Sequence, residues 1–208
     1  LLEDYAELLD AEGVDKLHTL IKLTKRMEDL INALLHFSRL GRQELTFQSF
    51  NLNQSLESIA ELFTVSKRGE NIEIRIPRSL PKIVGDRVLL EEVFTNLISN
   101  AFKYNNQSEK WVEIGFLDPT LSNSLEPSQP QLLTFYVRDN GIGIQEKHLD
   151  TIFRIFKRLH SLNKYGGGTG VGLTIVKKII ELHHGTIWIE SSYGRGSTFY
   201  FTLPTEVV

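Results

Sequence analysis

The sequence predicts an α+β chain in which a helical hairpin precedes a mixed β-sheet carrying helices on one face. Three observations predict it. Apolar residues repeat every seven positions over 17–34. The segments WVEIGFL (111–117), LLTFYVRD (132–139), TIWIES (186–191) and STFYFTL (197–203) read as strands, several of them consecutive. Between the two groups, LLEEVFTNLISNAFKYN (89–105) has helical periodicity and a polar stripe.

Size and composition narrow the classes. At 208 residues the chain holds one ordinary domain and part of a second, at about 100–200 residues each. A formal charge of −3 gives no hint of a nucleic-acid partner. Cysteine is absent, which excludes disulfides and thiolate metal sites and suits a reducing, cytoplasmic compartment. No apolar run approaches the roughly 18 residues of a membrane-spanning helix, and the opening LLEDYAELLD is acidic rather than signal-like.

In chain order, residues 1–10 read as the tail of a helix, with Leu1, Leu2, Tyr5, Leu8 and Leu9 on one face. Gly13 is expected to break it. Asp15 is expected to cap a second helix running to about Leu40 and ended by Gly41. Leu17, Leu20, Met27, Ile31 and Leu34 form a coiled-coil-like seam, with Thr24 and Ser38 as polar exceptions. That seam asks for a partner, most simply a second copy completing a four-helix bundle; packing on the chain's own domain is the alternative. Residues 45–51 alternate like a strand leading into a helix at about 53–65, and IEIRIP (72–77) is a strand closed by Pro77. Asp86 can cap the next helix. The loop PTLSNSLEPSQPQ is long for a hairpin connection and is expected to be exposed. A helix follows at about 171–184, then two strands around a Tyr193–Gly196 turn.

The chemistry concentrates in three segments. Glu92, Asn96, Asn100 and Lys103 follow one another at intervals of four, four and three, so they share one helix face. An acid, two amides and a lysine suit a metal–phosphate site; a solvated face is the plainer alternative, and the glycine-rich segments weigh against it. In DNGIGI (139–144), Asp139 can accept a hydrogen bond from an exocyclic amine while Gly141 and Gly143 let backbone approach a flat ligand. In GGGTGVGL (166–173), Gly168, Gly170 and Gly172 leave N–H groups free at a helix start, an anion site with neither P-loop nor Rossmann spacing. Between them, Phe153 and Phe156 can anchor a hinged lid, and Lys157, Arg158 and Lys164 bring positive charge.

NLISNAFKY, DNGIGI, IFRIFKRLH, GGGTGVGL and GRGSTFYFTLP, in this order, resemble the N box, first glycine box, F box and second and third glycine boxes of sensor histidine kinases of two-component systems. The hairpin resembles their dimerisation and histidine-phosphotransfer region. The wording FKRLH…YGGGTGVGLTIVKKIIELHHG is similar to phytochrome-type kinases. The resemblance implies a helical hairpin over 1–41, half of a dimeric four-helix bundle, followed over 45–208 by an α/β sandwich of the histidine-kinase/gyrase-type ATPase fold that binds ATP and Mg²⁺. By position it makes Asn100 the Mg²⁺ ligand, with Asn96 assisting at metal and phosphates and Lys103 contacting phosphate. Tyr104 packs on adenine and Asp139 receives its amino group, with Gly141 and Gly143 shaping the pocket. Lys157 and Arg158 approach the phosphates, Arg158 at the γ-phosphate. Gly168, Thr169, Gly170, Val171, Gly172 and Leu173 wrap the phosphate chain, and Thr198 lines the adenine side. The catalytic set is then Glu92, Asn96 and Arg158, although Glu92 can equally be a surface salt-bridge residue.

The same fold serves gyrase-, chaperone- and mismatch-repair-type ATPases, which place a glutamate one turn before the metal asparagine. This chain has Asn96 there, and an amide cannot act as a general base at neutral pH. Transfer to an acceptor side chain is therefore expected over hydrolysis. The family's acceptor histidine, followed by an acid and a nearby proline, is not matched here; His18 and His36 read as helix-surface or seam residues, and the acceptor is expected before Leu1. His183 and His184 read as favourable charge at a helix C-terminus. The implied partners are a second copy through residues 1–41, a response-regulator receiver domain and upstream sensory domains. A nucleotide-binding regulatory module, or pseudokinase, acting through dimerisation and docking is the alternative function.

Overall fold

The structure, a computed structural model, describes residues 9–67, 69–117, 132–157 and 169–205. Residues 1–8, where the first hairpin helix is expected, and the whole 118–131 loop lie outside this set. Helix α1 spans Ala11–Leu40. Its N-cap is Asp10, whose Oδ1 accepts the Gly13 N–H at 2.8 Å. The expected break at Gly13 and cap at Asp15 are thus both displaced. A glycine in the first turn costs little when its N–H is already taken by the cap.

The other described residues build two sheets, three further α-helices and a short 3₁₀ turn at Glu146–Thr151. Strand β1 (Gln48–Asn51) pairs antiparallel with β3 (Lys82–Gly85), a strand not anticipated from its four residues, in a two-stranded ribbon. The main sheet has the order β2-β4-β5-β7-β6, from β2 (Ile72–Arg75), β4 (Lys110–Phe116), β5 (Leu132–Asp139), β6 (Ile187–Ser192) and β7 (Gly196–Pro204). Only β2 and β4 pair parallel, so the sheet is mixed as expected. Helices α2 (Leu52–Ser66), α3 (Arg87–Lys103) and α4 (Gly172–Leu182) cover one face.

Strand alternation explains the core. Val112, Ile114, Phe135, Val137, Phe199, Phe201 and Leu203 point inward, where they meet Val93, Phe94, Leu97, Ile98 and Phe102 of α3 and Val176, Ile179 and Ile180 of α4. All these helix residues are essentially solvent-free, which fixes which side of α3 remains for polar work. The other sheet face is open and carries Trp111, Tyr136, Tyr200 and Trp188, the last two stacked at 5.5 Å.

Two polar devices lock α3 in place. Asp86 caps it as expected, accepting the Leu89 N–H at 3.2 Å, and also takes the Thr46 N–H. His183 is fully buried at the end of α4; its Nδ1–H donates to the Ile179 carbonyl and its Nε2 accepts the Asp86 N–H at 2.9 Å. Burial lowers the His183 pKa, so it serves as a neutral connector and not as the positive charge expected there.

Helix α1 presents two different faces. Leu40 is buried, and Ala33 and Phe37 pack against the core, so its last two turns dock on the sandwich. On roughly the opposite side, Leu20, Met27, Ile31 and Leu34 of the predicted seam are each 46–58% exposed.

Candidate functional site

A cleft opens between α3, the turn after β5, the start of α4 and the β7 edge. From α3 it takes Asn96, Ser99, Asn100 and Lys103, followed by Tyr104 at the helix C-cap. The buried apolar half of α3 forces these positions outward, so the polar stripe is the reverse side of the core pattern. The Asn96 amide donates to the Glu92 carbonyl at 3.0 Å, which leaves its Oδ1 aimed at the start of α4. A Cβ on Gly172 would come within 2.7 Å of that oxygen, so a side chain there would displace the Asn96 amide. The side chain of Asn100 has no hydrogen bond among the described residues and faces the cleft.

Opposite, α4 begins at Gly172 with no side-chain cap on Val171, so its first-turn N–H groups are open to a ligand in the cleft. Thr169 and Gly170, with φ +74°, precede it and line the same wall, as do Leu173 and Lys157. An uncapped helix start, a lysine on each side and two amides make this end fit an anion with a hard cation.

The other end is closed and apolar. Ile142, Gly143, Ile144, Ile152 and Phe199 surround Asp139 and Ser197. Asp139 Oδ1 accepts the Gly141 N–H at 2.8 Å and the Ser197 N–H at 3.3 Å. Burial outweighs both bonds and raises its pKa from 3.8 to about 6. Gly143 (φ +66°) stands where a Cβ would lie 2.1 Å from the Ser192 carbonyl. Gly196 (φ +98°) is equally confined, 2.0 Å from the Asp139 carbonyl. These two glycines press the turn onto β6 and β7 and so seat the carboxylate.

Eleven of the predicted site residues line this cleft: Asn96, Asn100, Lys103, Tyr104, Asp139, Gly143, Lys157, Thr169, Gly170, Gly172 and Leu173. Gly141 acts from behind, through its N–H to Asp139. Val171 is fully buried beneath the wall. Thr198 is on the opposite sheet face, paired in register with Arg138 and Glu190, because its neighbours Ser197 and Phe199 take the inward positions. Glu92 is outside the cleft; both its oxygens meet His36 Nε2 of α1, at 2.9 and 3.0 Å. Phe153 packs on the core, whereas Phe156 is 48% exposed. Arg158, Lys164 and Gly168 lie outside the described residues.

Sequence reasoning missed Ser99, Ile142, Ile144, Ile152, Ser197 and Phe199. Ser99 was within reach, since it sits three residues from Asn96 on the same face. Ser197 and Phe199 follow from strand alternation once the inward face of β7 is known. Ile152 carries no local signal.

Residues 85–207 match the profile of the histidine kinase-, DNA gyrase B- and HSP90-like ATPases. The chain belongs to this family. Cyanobacterial phytochrome B of Nostoc sp. is 58% identical over 203 residues, covering 98% of this chain and 26% of that protein. The sensor protein kinase WalK of Staphylococcus epidermidis is 32% identical over 188 residues, covering 89% of this chain and 29% of WalK. The chain thus spans between a quarter and a third of the length of these relatives. Among solved structures, full-length ShkA in complex with AMPPNP matches with a TM-score of 0.70 at 25% identity, covering 96% of this chain and 40% of ShkA. The histidine kinase ThkA in complex with the response regulator protein TrrA matches at 0.66 and 25% identity, covering 96% of this chain and 54% of that one. The chain is a histidine-kinase-type ATPase unit with the corresponding sandwich fold, similar in sequence to the cyanobacterial phytochrome. Among the described residues no helix is long and apolar enough to cross a membrane.

Proposed function

We propose that this chain is the ATP-dependent kinase core of a two-component sensor. It transfers the γ-phosphoryl group of Mg-ATP to a histidine outside these residues, from which a response-regulator receiver domain takes it. One observation carries the choice of transfer over hydrolysis. Among the described residues lining the cleft, Asp139 is the only carboxylate, and it stands at the apolar end. The acid that could have served the phosphate end, Glu92, is engaged with His36 outside it. Water attacking a phosphate there would find amides and lysines but no general base.

In this reading Asp139 accepts the adenine amino group and Tyr104 covers the ring. Asn100 holds Mg²⁺ through its amide oxygen, with Asn96 beside it. A bound Mg²⁺ would neutralise phosphate charge and orient the chain of oxygens. Lys103, Lys157 and Arg158 add positive charge, and the N–H groups at the start of α4 hold the phosphates. Phosphoryl transfer asks the protein mainly for this positioning and charge stabilisation. The family of the chain and the AMPPNP bound in ShkA support the nucleotide. The TrrA complex of ThkA supports a receiver as partner. The exposed stripe on α1 supports pairing with a second copy through residues 1–41. In this reading residues 45–208 are the catalytic domain, and the protein works in a bacterial cytoplasm.

The test is incubation with γ-labelled Mg-ATP of this chain alone and of a longer protein that includes the segment before Leu1. Label is expected on a histidine of the longer protein only. Label on any histidine within residues 1–208 overturns the acceptor assignment. Steady phosphate release with no phosphoprotein in the longer chain overturns the kinase reading.

A further inference from the structure

The geometry points to Asn105 and Asn140 as positioning residues that set the width of the base-binding end by bracing Tyr104 against Asp139. This inference rests on the reading of Asp139 and Tyr104 as the base-binding pair. Neither asparagine lines the cleft.

The reason lies in how β5 leaves the sheet. Its last register pair with β4 is Val112 with Asp139. Beyond it the backbone turns away, and the Trp111 N–H would lose its partner at the edge of the core. The Asn140 side chain replaces the missing strand: its Oδ1 accepts the Trp111 N–H at 2.9 Å and its Nδ2 donates to the Glu109 carbonyl at 2.8 Å. The backbone donor at Trp111 fixes which end of the amide is oxygen. The same Oδ1 also accepts from Asn105 Nδ2 at 2.8 Å, so both its lone pairs are used.

Asn105 is 94% buried by exposure, at 6%, and its own Oδ1 accepts the Gln107 N–H at 2.9 Å. It directly follows Tyr104, whose carbonyl accepts the Ile142 N–H at 2.9 Å. A Cβ on Gly141 would meet that carbonyl at 2.5 Å. The segment carrying Tyr104 and the turn carrying Asp139 are therefore joined at two levels: backbone to backbone at Ile142, and amide to amide at Asn105 and Asn140. Removing the amide pair leaves one bond to hold the spacing. The phosphate end, built on α3 and α4, does not depend on it.

The test compares two probes, Mg-ATP and Mg-tripolyphosphate, by titration calorimetry on the chain and on Asn105→Ser and Asn140→Ala. Serine retains an acceptor for the Gln107 N–H and loses only the bond to Asn140. Thus Asn105→Ser keeps the question answerable if Asn140→Ala fails to fold. The expected result is roughly tenfold weaker Mg-ATP binding, as for a displaced hydrogen-bonding group, with tripolyphosphate affinity unchanged within about twofold. Equal weakening of both probes, or unchanged Mg-ATP affinity in folded Asn105→Ser, overturns the inference. Asp139→Ala in the same series separates it from its premise. If Asp139→Ala loses Mg-ATP affinity while the asparagine variants do not, the bracing alone fails. If Asp139→Ala also binds normally, the base-end assignment fails.

Discussion

At one end of the cleft Asp139 is seated by two backbone N–H groups, two confined glycines and a shell of isoleucine and phenylalanine. At the other, Asn96, Asn100 and Lys103 project from one helix toward the uncapped start of another. The first end is defined by backbone that cannot move without breaking strand pairing, and its charge is costly: burial raises Asp139 to about 6. The second is defined by helix side chains, of which the Asn100 amide has no hydrogen bond among the described residues, and by the N–H groups at the start of α4. A closed end with one buried acceptor suits a flat ligand, while an open end with helix-start N–H groups and amide oxygens suits charge and a cation. In the proposed function, discrimination and reaction would then fall to different materials within one site.

The sharpest way to break the contrast is to add one methyl group to the closed end. Gly143→Ala places a Cβ 2.1 Å from the Ser192 carbonyl at φ +66° and is expected to destabilise the protein by about 3 kcal/mol, read by denaturant unfolding. Gly194→Ala, at φ +86° with nothing within 4 Å, is expected to cost only about 1 kcal/mol. Similar losses in both would show that the turn is not pressed against β6.

A smaller effect tests the charge at that end. Asp139 binds its proton more tightly in the folded protein than in the unfolded chain, whose carboxyl keeps the ordinary 3.8. Between about pH 4 and 6 the folded state therefore holds more protons, and stability falls as pH rises through that window. Asp139→Asn keeps an oxygen for the Gly141 and Ser197 N–H groups and removes the buried charge. The ligand-free protein is expected to gain about 1–2 kcal/mol at pH 7 and to lose that pH slope, measured by thermal unfolding across pH. An unaltered slope would mean that the carboxylate is solvated.

At the open end, where the described residues include no carboxylate, Asn96→Glu supplies a general base and is expected to raise phosphate release from Mg-ATP by about tenfold or more. No increase would show that something other than the missing base suppresses hydrolysis. The smallest effect belongs outside both ends. The His36–Glu92 pair is 41% and 28% exposed, so His36→Ala should change stability by about 0–1 kcal/mol and leave Mg-ATP affinity unchanged.

The two ends also differ in how legible they were in the chain. The open end could be read from local spacing: Asn96, Asn100 and Lys103 recur on one helix face, and glycines announce a helix start with free N–H groups. The closed end is assembled from β5, β7 and a short turn at Glu146–Thr151, so Ile152 and Phe199 could not be found until the strands were in register. Thr198 fell to the wrong face for the same reason, a parity that one residue reverses. The start of α1 was misplaced because Asp10 and Asp15 are equally good caps in sequence, and only the Gly13 N–H decides between them. His183 was read as helix-end charge because nothing local reveals its burial against Asp86.

In the proposed function Asn100 holds the divalent cation of a triphosphate in this cleft. Calorimetric titration of ATP into the chain and into Asn100→Ala, each with and without Mg²⁺, tests it most directly. Mg²⁺ is expected to strengthen ATP binding to the chain by about tenfold or more, on the order of one good ligand, and Asn100→Ala is expected to lose most of this gain while still binding metal-free ATP through Asp139. An equal Mg²⁺ gain in both proteins would contradict it.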